Sequence, residues 1–339
     1  MTFYTHPFLF GLVGLTIATA IPRGDSITAL SASQVAAFKP FSYYAATAYC
    51  KPATVLNKSC GVNCDANTAF QPIAAGGDGS KIQFWYVGID LSLKTVIVGH
   101  QGTDPSKIAP LLTDANFFLK PLNETFFPGL NSAIKIHNQF GDQHWKTMSQ
   151  ILSATRAALQ KSNLTQVTLI GHSLGAALAL LDSVSLPLFL PGIQFKTIGY
   201  GLPRVGNQAF ADYVDANVQL SHVNNREDFV PVIPLRTLGF VQPQGEKHIQ
   251  DDLTWLDCPG NDNPDPRCSA GDVSSVSAGN LSNHDGPYDG VEMGGATCKN
   301  VTGTAGVATA AASTFHARCG VLFLLATAFS LLHDPLQVL

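Results

Sequence analysis

The sequence predicts an α/β protein on a mostly parallel central sheet, mixed at an N-terminal hairpin, with helices on both faces. Three observations predict it. Apolar residues make up 45% of the 339 residues and charged residues only 13%, enough to fill a sizeable core. Runs rich in Val, Ile and aromatics alternate with helical patterns between residues 142 and 225, which implies parallel pairing. An earlier pair of such runs is separated by only a few turn residues, which implies a hairpin.

Element by element, residues 21–40 read as a short N-terminal stretch leading into a helix. "KIQFWYVGID" (81–90) and "KTVIVGH" (94–100) read as the hairpin strands. Residues 142–162 read as an amphipathic helix, with Trp145, Met148, Ile151, Leu152, Thr155 and Leu159 on one face. Asn163 punctuates, and "TQVTLI" (165–170) reads as a buried strand. "LGAALALLDSVSL" after Ser173 reads as a helix that stops before Pro187. Residues 195–200 and 220–225 read as strands around a helix at 207–218. The Gly/Ser/Asn/Asp-rich stretch 256–283 reads as a surface excursion.

The ends of the chain read differently. "FLFGLVGLTIATA" (8–20) ends in Ala18-Thr19-Ala20, so residues 1–20 are expected to be a secretory signal, leaving a domain at 21–300. Residues 301–339 combine a low-complexity Ala/Thr/Gly/Ser segment with an apolar tail. They are expected to be a disordered appendage. A GPI-attachment signal is the alternative, against which His333 and Asp334 in the tail speak. Sequons at Asn57, Asn123, Asn163, Asn280 and Asn300 agree with export, as do seven cysteines. Cys60 and Cys64 suit a small loop, Cys258 and Cys268 bracket a polar stretch, Cys50 and Cys298 remain, and Cys319 is odd; six cysteines still allow fifteen connectivities. No paired C-x-x-C spacing suggests zinc. A net charge of −4 gives no footprint for nucleic acid.

The chemistry centres on "LIGHSLGAALA" (169–179). G-x-S-x-G directly after a strand and opening a helix has the form of a nucleophile elbow. Gly171 and Gly175 remove side chains that would collide with the neighbouring strand or helix, and the helix behind Ser173 aims free N–H groups at the hydroxyl. Leu174 would then supply one oxyanion donor. The plainer alternative makes Ser173 a side-chain N-cap. A serine needs a base, and here acid and His should follow it in the chain. Asp212, Asp215, Asp228, Asp251 and Asp252 are acid candidates. Asp228 follows a strand, in a loop held by two prolines, where it can reach back. Of the downstream histidines, His222 lies in a strand, and His316 and His333 belong to the tail. His248 and His284 stay open, with Asp285 beside the latter.

With these residues the chain resembles the fungal class 3 lipases, α/β-hydrolases that include feruloyl esterases. "AATAYC" (45–50), "GHSLGAALA" (171–179), "YGLPRVGNQAF" (200–210), "NNREDFVPVIP" (224–234), "NHDGPYDG" (283–290) and "GATC" (295–298) carry the likeness, over roughly residues 35–300. The resemblance implies an α/β-hydrolase fold and a triad of Ser173, Asp228 and His284, with His172 at the usual elbow position. It implies Thr103 as the second oxyanion donor, in "GHQGT" (99–103), where His100 and Gln101 replace the family's usual Phe-Arg. It supports pairing of Cys50 with Cys298. It also implies a lid in 104–118, whose apolar face would hold Ile108, Ala109, Leu111 and Leu112. The implied activity is ester hydrolysis through an acyl-enzyme, without metal or organic cofactor. A monomeric secreted triacylglycerol lipase at an oil–water interface is expected first. A feruloyl esterase is the alternative, and a non-catalytic protein on a hydrolase scaffold the second.

Overall fold

A computed structural model describes residues 26–104, 108 and 117–299. The signal candidate 1–20, lid residues Ala109, Leu111 and Leu112, sequon Asn300, Cys319 and the tail 301–339 lie outside the described residues.

Thirteen strands occur among the described residues: β1 Thr28–Ala29, β2 Phe70–Gly76, β3 Trp85–Asp90, β4 Thr95–His100, β5 Leu119–Pro121, β6 Lys135–His137, β7 Gln166–His172, β8 Gln194–Tyr200, β9 Gly206–Asn207, β10 Gln219–Asn225, β11 Phe240–Val241, β12 Glu246–Ile249 and β13 Trp255–Cys258. Nine of them form the main sheet, in the order β1-β13-β12-β10-β8-β7-β4-β3-β2. The centre, from β4 to β12, is parallel. Both edges are antiparallel. This is the mixed α/β-hydrolase sheet.

The central strands are apolar on both faces because both are covered. Val96, Val98, Val167 and Leu169 pack with Met148 and Ile151 of the helix Asn138–Ser162. The alternating residues Ile97, Ile170, Ile198 and Val223 pack on the other face with Tyr44, Ala45 and Ala46 of the helix Lys39–Thr47. The hairpin turn is closed by Asp90, whose carboxylate accepts from the Ser92 and Leu93 N–H groups at 2.8 and 2.9 Å. Asn163 ends the long helix in the left-handed region, φ 55°.

Four short strands, β11-β9-β6-β5, make a second sheet that the sequence does not reveal. Two other expectations are corrected. Trp145 leaves the buried stripe: it is half-buried under the Lys120 ammonium, 3.6 Å from the ring, and His144 and Thr147 take the core side. The stretch 256–283 is not simply a surface excursion. β13 belongs to the main sheet, and Asp262 is buried against Arg204, Oδ1 to Nε 2.8 Å. Arg204 also donates to the Val232 and Pro234 carbonyls, which ties this stretch to the loop after Asp228. The disulfides are Cys50–Cys298, Cys60–Cys64 and Cys258–Cys268. Asn57, Asn163 and Asn280 are exposed and Asn123 is half-buried.

Candidate active site

Ser173 stands between the end of β7 and the helix Leu174–Ser185, with φ 58° and ψ −130°. Only the surroundings can hold a non-glycine residue there. The Ser173 N–H donates to the Tyr200 carbonyl at 2.9 Å, and the glycines let three backbones converge. A Cβ on Gly171 would drive into the Gly175 carbonyl group, and one on Gly175 into the His100 carbonyl. The Ser173 side chain does not cap its own helix, so the N-cap alternative fails and the hydroxyl remains available.

The loop after β10 brings Asp228 to His284. Asp228 Oδ2 accepts from His284 Nδ1 at 2.7 Å, and Oδ1 accepts from the Val230 N–H at 2.9 Å. Both side chains are fully buried. Because Nδ1 carries the proton to the carboxylate, Nε2 is left with its lone pair. It is buried and has no partner among the described residues. Asp285, next in sequence, does not take the imidazole proton; burial pushes its carboxyl up, against the pull of His284. His248, the other candidate histidine, is held between the carbonyls of Arg267 at 2.7 Å and Arg226 at 2.9 Å. Asp212 and Asp215 serve locally, accepting from Gln208 and from the Gln244 N–H, and Asp251 and Asp252 are exposed.

Several residues fix the His284 loop through contacts that no motif spells out. His172 Nε2 donates to the His284 carbonyl at 2.7 Å, and its Nδ1 accepts from the Tyr49 hydroxyl at 2.6 Å. Burial, and then His284, hold the His172 imidazole far below the usual histidine range, so it is neutral, as this pairing requires. Tyr288 donates to the same carbonyl at 3.0 Å. Asn225 donates to the Asn283 and Gly286 carbonyls at 2.8 and 2.9 Å. Gly201, φ 52°, leaves room for the imidazole: a Cβ there would sit 2.7 Å from His284 Cε1. The only signal for these residues in the sequence is their place inside the quoted motifs.

On the other side of Ser173 lies the loop after β4. Gly102 passes so close to His172 and Ser173 that a Cβ would strike the His172 carbonyl oxygen and reach within 3.0 Å of Ser173 Cβ. Thr103 follows, and with Leu174 it lines two adjoining clefts. One is narrow and mainly apolar, reaching Ser173 past Ile108, Phe117, Phe140, Val230 and Ile233. Ile108 is the one described residue of the expected lid face, and it is buried against Phe229, Val230, Val232 and Ile233. The other cleft, of about 400 Å³, is lined by Ser80, Gln83, Asp104, Gln139 and Gln143 besides Thr103 and Leu174. Among the described residues, no group of His, Cys, Asp and Glu could hold a metal ion.

Fold and elbow together define an α/β-hydrolase. The family model "Lipase (class 3)" matches residues 97–238. A secreted mono- and diacylglycerol lipase of Malassezia globosa is 33% identical over 168 residues, 49% of this chain and 53% of that protein. A second from the same organism is 33% identical over 205 residues, 59% of this chain and 65% of that protein. The chain thus spans between about half and two thirds of these relatives' length. In structure, Rhizomucor miehei triacylglyceride lipase superposes with a TM-score of 0.69 at 24% identity, covering 79% of this chain and 99% of that one. Over these residues the chain is similar to the class 3 lipases, and over most of its length its fold is theirs.

Proposed function

We propose that this protein is a secreted acylglycerol lipase, a serine ester hydrolase working through Ser173, His284 and Asp228. The carrying observation is the 2.7 Å Asp228–His284 bond, with the opposite imidazole nitrogen left unpartnered, in a fold that also presents Ser173 on a strained elbow. Ser173 Oγ attacks the ester carbonyl as His284 Nε2 takes its proton, and Asp228 stabilises the resulting imidazolium. The N–H groups of Thr103 and Leu174 receive the oxyanion, where losing one donor typically costs about 3 kcal/mol. His284 then protonates the leaving alcohol, and water attacks the acyl-Ser173 by the same route in reverse. No step calls on a metal or organic cofactor.

The apolar pocket beside Ser173 suits an acyl chain, and the wider cleft beside Thr103, which carries Ser80, Gln83, Asp104, Gln139 and Gln143, offers partners to an alcohol with free hydroxyls. The relatives' names point the same way, to mono- and diacylglycerols as well as triacylglycerol. Exposed Phe118 and Leu235, each next in sequence to a residue of the apolar pocket, support work at a lipid–water interface, where the lid would open. Secretion is part of the same reading, supported by the relatives' names and the three disulfides.

The test compares emulsified triolein, diolein, monoolein and methyl ferulate on one preparation, with a fluorophosphonate that labels active serines. Hydrolysis of the glycerides with labelling of Ser173 is expected. Turnover of the ferulate alone would make the protein a feruloyl esterase, and no labelling a non-catalytic hydrolase scaffold.

A further inference from the structure

His100 stands where the strand β4 becomes the loop that carries Thr103. Its side chain is 1% exposed, and the mechanism above does not use it. Its Nε2 lies 2.7 Å from Asp182 Oδ2. Asp182 sits in the helix Leu174–Ser185, and its Oδ1 accepts from His144 Nε2, on the long helix, at 2.9 Å. Burial pushes the Asp182 carboxyl up, but the two histidines outweigh it and hold it at about 2, so both oxygens act as strong acceptors.

The His100–Asp182 bond therefore joins the two elements that carry the oxyanion donors. Thr103 is three residues past His100, and Leu174 opens the helix that holds Asp182. The His100 backbone lies equally close: its carbonyl is the group a Cβ on Gly175 would strike. An aromatic ring at position 100 would fill the space. It would leave strand and helix to slide against each other, because dispersion contacts are weak and undirected. A short bond to a buried carboxylate fixes distance and direction together.

We infer that His100 is a positioning residue for the reaction, its bond to Asp182 setting the separation of the Thr103 and Leu174 N–H groups. Oxyanion stabilisation is sensitive to such spacing, and misplacement by about 1 Å costs about 100-fold in rate.

The inference rests on the hydrolase reading above, and its test separates the two. Ester turnover is measured per site titrated with a phosphonate, so that misfolded protein does not count. Affinity for a boronic acid, which binds as a tetrahedral anion, is measured beside it. His100→Phe is expected to lower kcat per titrated site about 10- to 100-fold with KM little changed, and to weaken the boronic acid in parallel. His100→Gln, which can still donate to Asp182, restores most of both. Ile97→Ala, buried on the same strand, lowers the melting temperature but leaves kcat per site within about twofold. Where His100→Phe yields too little folded protein, Asp182→Asn removes the charged acceptor at constant volume and is expected to behave alike. If variants at 100 or 182 lower only the melting temperature, the inference is overturned and the hydrolase reading stands. A wild type inert to ester and phosphonate alike overturns both.

Discussion

Two buried carboxylates flank the elbow, one holding a single imidazole and the other holding two. Asp228 binds one ring at Nδ1 and leaves Nε2 unpartnered. Asp182 binds His100 and His144, both through Nε2. The second cluster even contains a serine: Ser185 Oγ lies 3.3 Å from His144 Nε2. By residue type it is another Ser-His-Asp set. Yet its carboxylate and hydroxyl meet the same ring nitrogen, so no proton can pass from one side of the imidazole to the other. Chemistry of the proposed kind needs acid and nucleophile on opposite nitrogens, and a serine raised on a bend rather than sealed in a helix. Composition does not distinguish the clusters; the wiring of the ring does.

The largest effect should come from exchanging the two serines in turn. Ser173→Ala is expected to lower kcat about 10⁵-fold or more with the fold retained, as far-ultraviolet circular dichroism would show. Ser185→Ala should leave kcat per titrated site essentially unchanged. A large loss there would erase the distinction. Next, Asp228→Asn keeps the shape but lets the wrong tautomer form, and about a 10⁴-fold loss in kcat is expected by steady-state kinetics.

The smallest effect concerns acid. Asp182 stays ionised down to about 2, so its cluster should not govern stability in mild acid. A histidine outside both clusters should. Burial, helped by Lys120, lowers His137 from 6.5 to about 4. Between those values the unfolded chain binds the proton and the folded one does not, so stability falls as pH drops through that window. The loss comes to about 3 kcal/mol. His172, depressed likewise, adds in the same sense. Urea unfolding at pH 7.5 and pH 4 should show the fall, and His137→Gln should reduce it. An unchanged slope in that variant would move the acid sensitivity to another group.

Most of the parallel centre is legible in the sequence because β7, β8 and β10 are short apolar runs separated by helical periods and β4 stands out as a hairpin strand, whereas the four residues of β12, "EKHI", are not. β2 is not, because "FQPIAAG" mixes Pro, Ala and Gly, and β1 is only two residues long. Nor is the role of 256–283, where a polar composition hides Asp262 buried under Arg204. At the site, the elbow is visible locally, while spacing leaves His248 and His284 open and only the family likeness separates them. The His100–Asp182 pair lies 82 residues apart, beyond any local pattern. A hint does exist, since a lone Asp within "LALLDSVSL" is a charge in an apolar helix and must find a partner.

The bond between Cys50 and Cys298 makes the backbone from 50 to 298 a covalent ring, and the elbow and the acid and histidine loops all lie on it. A protease that severs one peptide bond anywhere on that ring opens it without shedding a fragment. A nicked molecule would run as one band on a non-reducing gel and as two after reduction.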